Sequence, residues 1–145
     1  MINDTLKVTG ALTVVITDAT GAVKDTREIK NLVVSAGKTF IAGRMVGVPT
    51  AMSHMASGSG VAAAAVGDTV LGTELGRVAM SSMTSAGAVV TYVATFPPGT
   101  ATGALSEAGV FNAASAGTLL CRTVFAVVNK GVDDGMSITW AITVS

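Results

Sequence analysis

The chain is 145 residues long, half of them apolar and 12% charged, with nine basic side chains against nine acidic ones. A chain of this size and apolar content buries a core and is not disordered, and zero net charge sets up no long-range field for nucleic acid, an anionic membrane or an acidic substrate. One Cys and one His exclude an internal disulfide and a zinc site of ordinary ligand set.

The N-terminus, Met1-Ile2-Asn3-Asp4-Thr5, has no basic segment leading into an apolar one, so it reads as an N-terminal arm at 1–5 and not as an export signal. Asn3-Asp4-Thr5 matches a glycosylation acceptor, a match without meaning if the chain is not exported. From Leu6, the residues Leu6, Val8, Gly10, Leu12, Val14 and Ile16 share one face, while Lys7, Thr9, Thr13 and Thr17 share the other. Period two predicts a half-buried strand. Asp18-Ala19-Thr20-Gly21 is turn chemistry, and the polar alternation Val23, Asp25, Arg27 against Lys24, Thr26, Glu28 predicts the second arm of a hairpin.

Ser35 is placed to cap a helix through Ala36–Val46, in which Ala36, Phe40, Ile41 and Met45 fall at helical spacing and Gly43 and Gly47 weaken or end the element. A strand is expected over Ser53–Ser57, then a small-residue loop over Gly58–Gly67. Asp68–Glu74 reads as a single turn whose backbone N–H groups Asp68 accepts. Strands are then expected at Arg77–Met83, Ala88–Phe96, Leu105–Asn112, Thr118–Val128 and Met136–Val144, about eight in all. In the last of these Ile138, Trp140 and Ile142 share an apolar face and are the expected core anchors, with Trp140 pointing at an opposite sheet. Short strands joined by Gly and Asx turns predict an all-β, two-sheet sandwich of jelly-roll type with one short helix, forming one domain over 1–145. The order of connection is not readable, and no repeat of solenoid length recurs. Val78–Ser106 lacks any Lys, Arg, Asp or Glu, but Thr, Ser and Gly recur in it and Pro97-Pro98-Gly99 breaks it, so no transmembrane helix is expected there.

Candidate chemistry is sparse. Gly58-Ser59-Gly60-Val61-Ala62-Ala63 has the spacing of a dinucleotide fingerprint, but no βαβ unit surrounds it, and a plain loop is expected. His54 sits between Met52 and Met55 with no motif linking it to a nucleophile, and Cys121 lies inside an expected strand. Asn129, Asp133, Asp134 and Gly135 form an oxygen-rich loop without EF-hand spacing, and a turn explains them. Glu28, Glu74 and Glu107 are too far apart in sequence to be read as a carboxylate pair. No catalytic, cofactor-binding or metal residue is expected, and contacts with other proteins, not turnover, are the expected output; the residues that would make those contacts are not identifiable.

Met52–Gly60 followed by Asp68–Arg77 resembles a pattern in small virion proteins of tailed bacteriophages. So do Tyr92–Phe96, Glu107–Asn112, Leu119–Phe125 and Ile138–Ile142, in the same order, so that the likeness covers about residues 52–145. The pattern is similar to jelly-roll capsid cement, or decoration, proteins and also to tail, neck or fibre-attachment modules. The resemblance implies a structural, non-enzymatic protein on the outer capsid surface of a virion, made in the host cytoplasm. It implies a major capsid protein of HK97-like fold as partner and a homo-oligomer, dimer or trimer, with no cofactor, nucleic acid or membrane. A carbohydrate-binding domain, with Trp140 as an exposed sugar platform, is the alternative from another class.

Overall fold

The computed structural model describes residues 4–145. Those residues form ten strands and one helix: β1 (Val8–Thr17), β2 (Val23–Lys30), β3 (Leu32–Val33), α1 (Ser35–Arg44), β4 (His54–Gly58), β5 (Glu74–Ala79), β6 (Ser82–Ala86), β7 (Val89–Phe96), β8 (Gly103–Phe111), β9 (Leu119–Lys130) and β10 (Gly135–Val144). They make two antiparallel five-stranded sheets, sheet A in the order β2-β1-β10-β7-β6 and sheet B in the order β3-β9-β8-β4-β5. The winding is jelly-roll-like: the first strand pairs with the last in sheet A, and β3 pairs with β9 in sheet B. Of the arm expected at 1–5, the first three residues lie outside the described residues, Asn3 among them; Asp4 and Thr5 are exposed and precede the first strand.

The period-two reading of β1 holds where a sheet faces it. Leu12, Val14 and Ile16 are buried, but Leu6 lies before the strand and is exposed. Asp18 closes the hairpin by accepting the N–H groups of Thr20 and Ala22 on Oδ1, at 2.8 and 3.0 Å, and Gly21 takes the positive φ of the turn.

The core between the sheets takes Leu12, Val14, Ile16, Ala94, Phe96, Ile138, Trp140 and Ile142 from sheet A and Met55, Leu105, Val110, Cys121 and Val128 from sheet B. Trp140 is fully buried, flanked across the strands by Leu12 on β1 and Tyr92 on β7. Burial of each such large apolar side chain contributes about 1.5–3 kcal/mol. Sheet B has a second, smaller apolar cluster, made by Val34, Ala56, Leu71, Phe111 and Leu119.

Four expectations need correction. The helix starts at Ser35 itself and ends at Arg44; Val34 holds the cap position with no side-chain bond, and the Ser35 N–H is taken by the Val66 carbonyl at 2.7 Å. Met45 is exposed, because the chain leaves the helix through i to i−3 bonds from Met45, Val46 and Gly47. Arg77–Met83 is not one strand: the Met80 N–H bonds to Ser53 in sheet B, and the next N–H, that of Ser81, bonds to Val93 in sheet A, so the chain changes sheet between them. Asp68–Glu74 holds no helical turn, since Asp68 accepts the N–H of Ala65 upstream and Glu74 opens β5.

Candidate functional site

The most elaborate polar arrangement lies where the loop joining β4 to β5, residues 59–73, rests on sheet B. Glu107 on β8 is fully buried beneath it. Its Oε1 accepts the N–H groups of Gly60 at 2.8 Å and Thr73 at 2.6 Å, and its Oε2 accepts the N–H of Gly72 at 2.8 Å. Arg122 on the neighbouring strand β9 donates Nε and Nη2 to the same Oε2, at 3.1 and 2.9 Å, and Nη1 to Asp68 at 2.8 Å. Its Nη2 also reaches the Ala62 carbonyl at 3.1 Å. One carboxylate and one guanidinium thus tie down both ends and the middle of the loop.

Local backbone chemistry makes this possible. Leu105 pairs with Val128 but Glu107 pairs with Val124, so the ladder between β8 and β9 is broken at Ser106. Consecutive residues of an unbroken strand point to opposite faces. Here Ser106 and Glu107 both reach Gly60, the hydroxyl donating to its carbonyl at 2.8 Å and the carboxylate accepting its N–H. A Cβ on Gly60 would stand 2.5 Å from Glu107 Oε1, and one on Gly58 would collide with the Thr73 carbonyl. The glycines with dinucleotide-fingerprint spacing therefore serve a close backbone approach, but to the chain's own carboxylate, whose charge would repel a phosphate.

Burial pushes the Glu107 carboxyl up, and the N–H groups of Thr73, Gly72 and Gly60 with the Arg122 guanidinium outweigh it, leaving the group below the usual glutamate value. The Asp68 carboxyl is likewise held low, first by the Ala65 N–H and then, against desolvation, by Arg122. Both acids are ionised at neutral pH; Glu107 has partners on both oxygens, whereas the partners of Asp68 share its Oδ2.

The outward side of the loop is apolar. Val61, Val66 and Val70 are 76%, 55% and 63% exposed, while Leu71 turns inward to the second apolar cluster. Beside it, Arg77 lies over the Phe111 ring, 3.7 Å from its centroid, and is held there by Glu74 and by the carbonyls of Ala113 and Ala116. A surface groove of about 530 Å³ runs on another part of the molecule, between Leu6–Thr9 and the helix residues Lys38, Ile41, Ala42 and its cap Met45.

The other sequence candidates fall in ordinary surroundings. His54 is half-buried with Nδ1 2.8 Å from the Ser53 hydroxyl. Cys121 is in the core, where burial pushes its thiol far up. Asp134 accepts Lys24 Nζ at 2.6 Å and the Gly131 N–H at 2.7 Å, while Asn129 and Asp133 are exposed. Glu74 and Glu107 flank Gly58 on adjoining strands, but each carboxylate is turned to its own arginine, and Glu28 is on sheet A. No group of three metal-ligating side chains occurs among the described residues, and no helix is long and apolar enough to cross a membrane.

Sequence reasoning missed the Glu107–Arg122 pair as a site, although a signal was present. Between Arg77 and Lys130 these two are the only charged residues, opposite in sign and each inside an apolar strand. No protein-family model, no curated protein and no solved structure matches the chain.

Proposed function

We propose that this chain is a capsid cement protein, which binds the assembled lattice of an HK97-like major capsid protein on the outside of a phage shell. The observation that carries the reading is the loop 59–73: an outward surface bearing Val61, Val66 and Val70, its one charged residue, Asp68, paired with Arg122, and held in one shape from below by Glu107 and Arg122. A preorganised apolar surface loses little conformational entropy on docking, which favours contact as its use. The resemblance of residues 52–145 to phage virion proteins points the same way. The mechanism is mass action: a protein with affinity for the assembled shell and none for free subunits shifts assembly toward the shell. Trp140, fully buried, offers no face for stacking on a sugar, which weakens the carbohydrate-binding alternative.

The test is sedimentation of the purified protein with assembled shells and, separately, with unassembled capsid subunits. Binding to shells alone is expected, with a rise in the shells' resistance to heat, little dependence on salt, and loss of binding in a Val61→Asp, Val70→Asp variant that keeps its fold. Equal binding to subunits, or attachment only to tails, would reject the cement role, the latter in favour of a tail, neck or fibre module.

A further inference from the structure

The two edges of sheet A are unlike. At one end β2 carries five charged residues in eight, Lys24, Asp25, Arg27, Glu28 and Lys30. At the other, β6 is exposed along its whole length and has no charged residue, and neither have β7 and β10 behind it. The charge-free run Val78–Ser106 thus lands on one side of the sandwich. Sheet B's edges differ again: β3 is two residues long, and β5 carries the Glu74–Arg77 ion pair, its Gly76 packed against Ala101.

An edge strand presents unpaired N–H and C=O groups, and proteins guard such edges with charge, proline, bulges or short length. β6 has none of the first two, and its five pairs with β7 run without a register break. The inner-face row Leu12, Trp140, Tyr92 and Met83 crosses the sheet and stops at Met83, which is 53% exposed. The apolar layer therefore runs out to an unguarded edge.

We propose that β6 pairs with β6 of a second copy of this chain, antiparallel about a two-fold axis through Thr84, joining the two A sheets into one continuous sheet. A two-fold places each edge residue opposite itself or a near neighbour, so like charges meet wherever an edge is charged with one sign. β6 avoids this, and the pairing sets Ser82 opposite the partner's Ala86 and Met83 opposite the partner's Ser85, covering the exposed end of the inner row. The contact is isologous and closes at two copies, because the opposite edge, β2, is charged and unlike β6. The proposal stands independently of the cement reading.

Analytical ultracentrifugation of the full chain across a wide concentration range tests it, with circular dichroism to check folding. The wild-type protein is expected at twice the monomer mass, and Thr84→Lys and Thr84→Glu, substituted at an exposed position, each at the monomer mass with an unchanged spectrum. An equimolar mixture of the two variants is expected to regain the doubled mass at low salt, since opposite charges then face each other across the axis. A wild-type monomer at every concentration, growth beyond the dimer, variants that stay dimeric, or a mixture that stays monomeric would each overturn the proposal.

Discussion

Arg122 grips a single oxygen of Glu107 with two of its nitrogens, at 3.1 and 2.9 Å, leaving the other oxygen entirely to backbone N–H groups of the loop above. The carboxylate is thereby saturated from two directions at no exposure to water. Removing one partner from such a buried pair costs about 3–5 kcal/mol, because an uncompensated charge is left behind. Glu107→Ala is expected to lose that much in chemical denaturation and to open residues 61–70 to proteolysis. Replacing both partners together, Glu107→Leu with Arg122→Leu, is expected to cost less than the sum of the single changes; strict additivity would show that the two groups are not coupled.

Acid should weaken the fold through the same group. Glu107, Asp68 and Asp134 all have carboxyl groups held below their ordinary values in the folded chain. Their contribution is fully present above the unfolded values of about 3.9–4.3 and is lost as pH falls through the lower folded ones. Urea unfolding followed as pH falls from about 5 should show stability dropping in the wild type and dropping less steeply in Glu107→Gln. Equal slopes would mean that Glu107 carries no linkage.

Lys130 is 1% exposed and, among the described residues, its Nζ donates to a single acceptor, the Pro97 carbonyl, at 3.0 Å. Burial pushes its ammonium down, with Asp134 partly opposing. Below the depressed folded value both states are protonated and the burial penalty is in full force. As pH rises toward the unfolded value of about 10.4, the folded chain releases its proton first and the penalty is relieved. Lys130→Met is therefore expected to be at least as stable as the wild type at neutral pH, with its advantage shrinking in alkali. A Met variant that is much less stable at neutral pH would show that the ammonium is a net stabiliser.

Trp140 is the sole tryptophan, which makes it a clean probe. Its indole is fully buried, and its Nε1 meets no hydrogen-bond partner among the described residues. Blue-shifted emission and resistance to acrylamide quenching are expected. Trp140→Ala should cost about 3–5 kcal/mol. Trp140→Phe should cost less, since it keeps much of the apolar ring and removes an unpaired donor.

The sandwich was legible in the sequence because β1, β2 and β10 obey simple periodicity, as Leu12, Val14 and Ile16 do, and because turns such as Asp18–Gly21 announce themselves. The passage from β5 to β6 was not legible: the change of sheet at Met80 and Ser81 lies in which carbonyl each N–H meets, and no side chain marks it. Ser35 read as a cap because its side chain can act as one, whereas a carbonyl from a loop thirty residues on does the work at its backbone. The pinned loop depended on the ladder break at Ser106 and on two strands aligning Glu107 with Arg122, both properties of the assembled sheet. Their isolation in a charge-free stretch was the readable clue.

The position of β10 bears on the order of events during synthesis. It lies in the middle of sheet A, between β1 and β7, and it is the last of the ten strands in chain order. Until Val144 has left the ribosome, the hairpins β1–β2 and β6–β7 are separate pieces, each with an open inner edge and an apolar face awaiting Trp140. Contacts between the two ends of a chain form slowly, because a long loop must close before they are made. Sheet A is therefore completed only once β10 is available, and the interval before that is when the chain is most prone to pair with the wrong strand.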